Sequence, residues 1–249
     1  MVKKNYVLIS GASSGIGQHI AINLSNKNNL ILAGRNDEAL SNVLNLCGNK
    51  ENHLKWIFDL KNVEDIEDSL IVFVREHNIS ISAFIHCAGL LKIIPLKNFK
   101  ADHLQDTMNV NFTSAALIIK TLISKKANEK SLSNVIFISS VASIRGVKAF
   151  NIYAASKGAL DSLMRSLAVE LAPEVRLNSI LPGSIKTKMT ENIFNNEELV
   201  QNMSKDYPLG FGEPNDIYEM VNFLLSDKSK WITGQQFVLD GGRTINITA

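Results

Sequence analysis

The run that follows the first apolar segment limits this chain to few architectures. Tyr6–Ile9 is short and wholly apolar, and it leads into Ser10-Gly11-Ala12-Ser13-Ser14-Gly15-Ile16-Gly17, after which Gln18–Leu24 carries a helical apolar period. Glycines let a backbone reverse tightly and come close to a ligand. A turn that opens a helix also presents unpaired N–H groups and the positive end of the helix dipole, which together receive phosphate. The spacing, Gly-x-x-x-Gly-x-Gly, differs from the general dinucleotide fingerprint Gly-x-Gly-x-x-Gly, so its context decides its meaning. Lodged between a first strand and a first helix, Gly11, Ser13, Ser14, Gly15, Ile16 and Gly17 are candidate contacts for a pyrophosphate.

The rest of the chain supplies that context. Further strand candidates are Leu30–Ala33, Lys55–Phe58, Ala83–Ile85, Asn134–Ile138, Arg176–Ile180 and Gln236–Leu239. Several are apolar without alternation, as strands covered on both faces are. Between them lie helical periods over Val63–His77, Asp102–Lys126, Ile152–Leu171 and Pro214–Leu225, the last opening on a first-turn proline. Repeated strand–helix–strand units predict an α/β fold with a parallel sheet, helices on both faces and right-handed crossovers. No Pro/Gly-rich linker or repeat divides the 249 residues, so a single domain over 1–249 is expected. Ser184–Tyr207 lacks a strand and is polar; such an insertion is expected to be mobile and to lie over the ligand crevice.

Bulk properties exclude several functions. A formal charge of +2 gives no electrostatic case for nucleic acid or an acidic membrane as a partner. Cys47 and Cys87 form neither a disulfide framework nor a metal-ligand spacing, so no metal is expected. The apolar run at the N-terminus is far too short for a signal peptide core, and no segment approaches the roughly 18 apolar residues that span a bilayer. A cytoplasmic protein is expected.

The second strand ends at Ala33-Gly34-Arg35. An acid there would bond the ribose of NAD, whereas an arginine accommodates the 2′-phosphate of NADP. Arg35 therefore favours NADP(H) over NAD(H), and Asp37 reads as a helix cap rather than a ribose ligand. Asp59 and Leu60, at the end of the third strand, fall where the adenine edge would lie. A different chemistry is suggested by Tyr153 and Lys157, four residues apart and so on one helical face. A phenol with its ordinary pKa of about 10 is a poor acid–base catalyst at neutral pH. A cation beside it favours the phenolate and brings it toward useful proton transfer.

With these pieces placed, the chain resembles the single-domain short-chain dehydrogenases/reductases over nearly its whole length. Beyond the glycine turn, the resemblance rests on Cys87-Ala88-Gly89, Val110-Asn111-Phe112, Ser140 thirteen residues before Tyr153, and Asn178-Ser179-Ile180-Leu181-Pro182-Gly183. Thr187, Ile232-Thr233-Gly234-Gln235 and Asp240-Gly241-Gly242 extend it. It implies a doubly wound Rossmann fold with seven parallel strands in the order 3-2-1-4-5-6-7. It also implies a catalytic set of Asn111, Ser140, Tyr153 and Lys157. In that set Tyr153 exchanges a proton with the substrate oxygen and Ser140 hydrogen-bonds that oxygen. Lys157 binds the nicotinamide ribose and lowers the tyrosine pKa, and Asn111 anchors a relay water. Cys87, Ala88, Gly89, Pro182, Gly183, Ile185 and Thr187 are implied cofactor contacts, the last four on the carboxamide side of the nicotinamide.

The sequence departs from the pattern in places. His86-Cys87-Ala88-Gly89 stands where relatives have Asn-Asn-Ala-Gly, and His86 reads as a packing residue near the cofactor. Ser14 replaces a basic residue carried by many NADP-dependent relatives. The 3-oxoacyl-(acyl-carrier-protein) reductases are similar in overall pattern, but they dock their carrier through arginines, where this chain has Val169 and, in Asn128–Asn134, only Lys130. A different carbonyl or secondary alcohol is an equal expectation, and a non-catalytic dinucleotide sensor is the alternative from another class. Sugar-nucleotide epimerases have a substrate domain for which no residues remain. Met189, Ile193, Phe194 and Met203 offer apolar substrate contacts. Apolar positions beyond one helical stripe, Ala115, Ala116, Ile118, Ile119, Leu122, Leu160, Leu163, Met164 and Leu167, predict a partner. The resemblance supplies its form, a homotetramer built as a dimer of dimers.

Overall fold

Alternate residues of the inner strands feed opposite sides of one sheet, which is why those strands read as unbroken apolar runs. In the computed structural model, which describes residues 3–247 with the side chains of residues 192 and 193 outside the described set, β1 (Lys4–Ser10) sends Tyr6 and Leu8 into one core and Val7 and Ile9 into another. The other strands are β2 (Asn29–Gly34), β3 (Leu54–Ile57), β4 (Ile79–His86), β5 (Asn134–Ile138), β6 (Arg176–Pro182) and β7 (Gln236–Leu239). They form a seven-stranded parallel sheet in the expected order, β3-β2-β1-β4-β5-β6-β7. Winding reverses between β1 and β4, whose ends Ser10 and His86 are register partners. Ligands of open α/β sheets bind at such a reversal.

The helices are α1 (Gly15–Leu24), α2 (Asp37–Leu46), α3 (Ile66–Glu76), α4 (Ala101–Met108), α5 (Ser114–Leu122), α6 (Lys125–Asn128), α7 (Asn151–Glu170), α8 (Glu191–Phe194), α9 (Glu197–Ser204) and α10 (Pro214–Leu225). Leu70 of α3, Ile118 of α5 and Leu160 of α7 pack on one face of the sheet; Ile20 of α1, Leu40 of α2 and Val221 of α10 pack on the other. Phe84 and Phe137 are the largest fully buried side chains of the first core. Truncating either to alanine is expected to cost about 3–5 kcal/mol. No described helix is long and apolar enough to cross a membrane.

Four expectations change. Helix α2 has no counterpart among the helical periods read above, although Leu40, Val43, Leu44 and Cys47 stand at helical spacing and pack on the second core. Its cap is Asn36, which accepts the Ala39 N–H at 2.9 Å, while Asp37 is the first helical residue and pairs with Lys55. The expected helix over Asp102–Lys126 is broken: a π-helical turn, Asn109–Thr113, separates α4 from α5, and α6 follows after a further bend. That bend lets the buried Asn128 side chain meet both the N–H and the carbonyl of Ile81. The segment Ser184–Tyr207 is not featureless, since it contains α8 and α9.

The apolar positions expected to be surplus on α5 and α7 are not an uncovered surface. Ala115, Ile118, Ile119, Leu122, Leu160 and Met164 are all consumed by the core of the same chain, and Leu163 and Leu167 pack against it. Ala116 is half-buried. Helices that cover a sheet and also touch each other need a wider apolar stripe than a lone surface helix.

Candidate active site

The C-terminal ends of the strands open into a cleft of ≈ 650 Å³. Every residue that the sequence assigns to cofactor contact lines it, from Gly11 to Thr187, together with Ser140, Tyr153 and Lys157. Asn111 does not line it and is fully buried behind the wall.

At one end the glycine turn passes from β1 into α1. Gly11 and Gly15 have φ of +67° and +57°, and a Cβ on Gly11 would lie 2.7 Å from the Ala88 backbone. A Cβ on Gly17 would lie 2.3 Å from the Gly11 carbonyl oxygen. Ser14 is the N-cap of α1 without a side-chain cap bond, so the first-turn N–H groups of α1 stay available. A turn this close-packed, ending on free N–H groups, fits a pyrophosphate. Beyond it stands the exposed Arg35. Lys55 is paired with Asp37 and Lys61 with Asp106 at 2.7 Å, whereas Arg35 has no ion pair among the described residues.

At the middle of the cleft, α7 presents Tyr153 and Lys157. The Phe150 ring meets that of Tyr153 edge-on at 5.9 Å and fixes its plane. Lys157 Nζ donates to the Ile138 carbonyl at 2.8 Å and lies 5.8 Å from the Tyr153 ring centroid. Burial pushes the Tyr153 phenol up to about 12, opposed by its hydrogen bond with Ser140. The direction is opposite to that expected from a neighbouring cation, because desolvation outweighs everything else at this buried oxygen. Burial likewise pulls Lys157 down to about 8, opposed by Asp161 and Cys87. Ser140 lies two residues beyond β5 and caps the turn Val141–Ser143, its Oγ accepting the Ala142 N–H at 3.1 Å.

Asn111 sits in the π-helical turn, a feature that often marks functional positions. Its Oδ1 accepts the Leu90 N–H at 2.7 Å, and its Nδ2 donates to the Leu90 carbonyl at 3.3 Å and to Ser156 Oγ at 2.9 Å. The Cβ position of Gly89 falls 3.7 Å from Lys157 Nζ and 4.0 Å from Asn111 Oδ1. The two polar atoms therefore border one small space, which only a glycine leaves open.

His86 is fully buried, with Nδ1 2.9 Å from Ser10 Oγ. Burial and the Lys157 charge pull it down to about 3, so the ring is neutral. Hydrogen bonding to the backbone of Asn111 and Val110 opposes that shift. Ser10 Oγ also accepts the Ala88 N–H at 3.3 Å, and through Ser10 the His86 ring pins β4 to β1 beneath the glycine turn. Burial also pushes the Cys87 thiol up to about 12, which leaves no thiolate nucleophile.

Several lining residues went unnoticed in the sequence. Phe150, Lys148, Leu199 and Arg243 all reach the cleft. Arg243 directly follows the Asp240-Gly241-Gly242 motif, and that adjacency was the available signal. Met189 and Met203 line the cleft as expected, whereas Phe194 packs edge-on against Phe211 at 5.1 Å and is not a lining residue. The side chain of Ile193 lies outside the described residues.

A family model described as Enoyl-(Acyl carrier protein) reductase matches residues 11–244. The 3-oxoacyl-[acyl-carrier-protein] reductase FabG of Buchnera aphidicola subsp. Baizongia pistaciae is 31% identical over 240 residues, covering 96% of this chain and 97% of the relative. A chloroplastic tropinone reductase homolog of Arabidopsis thaliana is 36% identical over 154 residues, 61% of this chain and 48% of the relative. The structure of 4-hydroxyisoleucine dehydrogenase complexed with NADH superposes with a TM-score of 0.89 at 28% identity, over 97% of this chain and 99% of that one. With a matching fold, matching length and a glycine turn at the sheet reversal, this chain is an oxidoreductase that belongs to the short-chain dehydrogenase/reductase family.

Proposed function

We propose that this protein interconverts a carbonyl and a secondary alcohol with NADP(H), using Tyr153 as general acid and base. The observation that carries this reading is the convergence of Tyr153, Ser140 and Lys157 on one wall of the cleft. The bound nicotinamide supplies or takes up the hydride. Gly11, Gly15 and Gly17 hold the pyrophosphate, with Ser13, Ser14 and Ile16 beside them. Asp59 and Leu60 border the adenine, and Cys87, Ala88, Gly89, Pro182, Gly183, Ile185 and Thr187 enclose the nicotinamide side.

In reduction, the substrate oxygen gains charge as the carbonyl is attacked. Ser140 Oγ donates to that oxygen, and the Tyr153 phenol gives it a proton; preset donors of this kind stabilise the developing alkoxide. Lys157 binds the ribose hydroxyls, and its charge favours the phenolate that remains, offsetting the burial that holds Tyr153 high. The space beside Gly89, bordered by Lys157 Nζ and Asn111 Oδ1, suits a relay water that returns the proton to Tyr153. Oδ1 has one bond, from Leu90, and a carbonyl oxygen has two lone pairs.

Two observations support NADP(H): Arg35 is exposed just after β2, and among the described residues it has no ion pair, whereas Lys55 and Lys61 do. The 3-oxoacyl-(acyl-carrier-protein) reductase reading is supported by the relative at 31% identity. Against it, the position where such enzymes carry a docking arginine is Val169, which is 82% exposed. For the homotetramer, the support moves from the helices to Val238 of the edge strand β7 and Trp231 in the segment before it, which are 40% and 97% exposed. Sedimentation of a monomer at micromolar concentration would remove it.

The reading is tested with NADPH oxidation over a panel of ketones. Tyr153→Phe is expected to abolish turnover while binding NADPH as the wild type does. Full activity in that variant excludes the mechanism. Tight cofactor binding without turnover of any substrate supports the sensor alternative instead.

A further inference from the structure

The end of the cleft beyond Tyr153 carries positive charge that its own walls do not match. Lys148 lies on the loop between Ser140 and α7, is exposed, and has no ion pair among the described residues. Arg243 reaches the same cleft from the other side, past β7. Asp240 aims it there: its carboxylate accepts the Gly242 N–H at 3.0 Å and the Thr244 N–H at 2.6 Å, and Gly241 and Gly242 take φ of +62° and +86°. The guanidinium lies over the Tyr207 ring at 5.1 Å and donates to the Tyr207 hydroxyl at 3.0 Å. Arg145 donates to the Arg243 carbonyl at 2.7 Å and brings a third cation to the neighbourhood.

The balancing acid is weak. Asp206 lies 3.6 Å from Arg243 Nη2, longer than a charge-assisted hydrogen bond, and its side chain is about a third exposed. Arg243 Nε is buried and has no hydrogen-bond partner among the described residues. Among the lining residues the sole acid is Asp59, at the opposite, adenosine end. The same cleft is lined by the apolar side chains of Ile93, Val147, Phe150 and Met203. A fully apolar substrate would leave Arg243 under-satisfied, and a polyol would waste those walls.

We infer that this end of the cleft binds the carboxylate of an oxo- or hydroxy-acid, with Arg243 and Lys148 as its anchors and an apolar chain spanning the distance to the reacting carbon. The inference rests on the redox reading above and names its substrate class. Planar guanidinium and carboxylate match in shape, so Arg243 supplies orientation as well as charge, and Lys148 adds a mobile point charge at the rim.

Isothermal titration of the NADPH complex with hexanoate and hexanamide tests the site without requiring turnover. The acid is expected to bind about tenfold more tightly than the amide, the scale of one charge-assisted hydrogen bond. That preference should fall in Arg243→Gln and in Lys148→Met and vanish in the double variant. Unchanged hexanamide binding shows that the pocket itself is intact. Equal affinity for acid and amide in the wild type, or a preference that survives in the double variant, overturns the inference. A turnover arm compares an oxo-acid with its methyl ester. Equal kcat/KM for the two overturns the anion site and leaves the redox reading standing, whereas acid-selective binding with no turnover does the reverse.

Discussion

Lys157 is held by the carbonyl of Ile138, 2.8 Å from its Nζ, and has no ion pair among the described residues. A buried ammonium tied to a backbone oxygen keeps its charge available to whatever binds beside it. It also costs the folded protein stability, because burial disfavours the charged form.

That cost has a pH signature. Lys157 is pulled from its ordinary 10.5 to about 8, so between those values the unfolded chain holds more protons and stability rises with pH. Tyr153, raised from 10.0 to about 12, acts oppositely across its own window: the folded state holds the proton longer, and stability falls there. Thermal melts of cofactor-free protein from pH 8 to 10.5 should show a rise in Tm that Lys157→Met lacks. Parallel curves for wild type and variant would contradict the buried, charged lysine.

His86 controls the acid side. Its pKa is lowered from 6.5 to about 3, so as pH falls through that interval the unfolded chain takes up a proton that the folded one refuses. Stability is lost over that range. Replacing His86 with Asn should flatten the decline between pH 6.5 and 3 in urea titrations, even if stability at pH 7 drops because the bond to Ser10 is weakened. An unchanged acid slope would show that His86 is not the group responsible.

Gly17→Ala should remove cofactor binding and destabilise the fold by about 1–3 kcal/mol, the usual range for overpacking. The new Cβ would stand 2.3 Å from the Gly11 carbonyl oxygen, a backbone atom that cannot move aside like a side chain. Chemical denaturation and NADPH fluorescence check the two effects separately. Near-normal NADPH affinity would mean that the turn does not hold the pyrophosphate.

Arg35→Ser should weaken NADPH binding about ten- to a hundredfold and leave NADH binding unchanged, since a lost phosphate contact affects only the phosphorylated cofactor. Equal effects on the two would place Arg35 outside the 2′-phosphate site.

Much of this was legible in the sequence, because it rests on short-range rules. The glycine turn, the strand cores and the spacing of Ser140, Tyr153 and Lys157 depend on residues close together in the chain or on one helix face. What escaped the reading depends on partners far away. Helix α2 packs Leu40, Val43, Leu44 and Cys47 on the second core, a short apolar period whose start is set by the Asn36 cap. Asn111 interrupts a helix because of the Leu90 backbone, and Asn128 bends the chain because of Ile81. Arg243 comes into the cleft only when β7 has taken its place at the sheet edge. The apolar residues of α5 and α7 seemed surplus because a sequence does not show that those helices cover the sheet between them.

The turn at Asn109–Thr113 sets the phase between two helices. Each residue advances a helix by about 100°, so one residue more or fewer between α4 and α5 rotates everything downstream by that angle. Within the turn the setting lets Asn111 grip Leu90; downstream it points Ala115, Ile118, Ile119 and Leu122 at the sheet. Deleting a single residue there would act like a slipped gear tooth, turning an apolar face outward or dragging Asn111 off its partner. Insertions and deletions in this stretch are therefore far less tolerable than point substitutions, and the register of the core and the position of Asn111 must be inherited together.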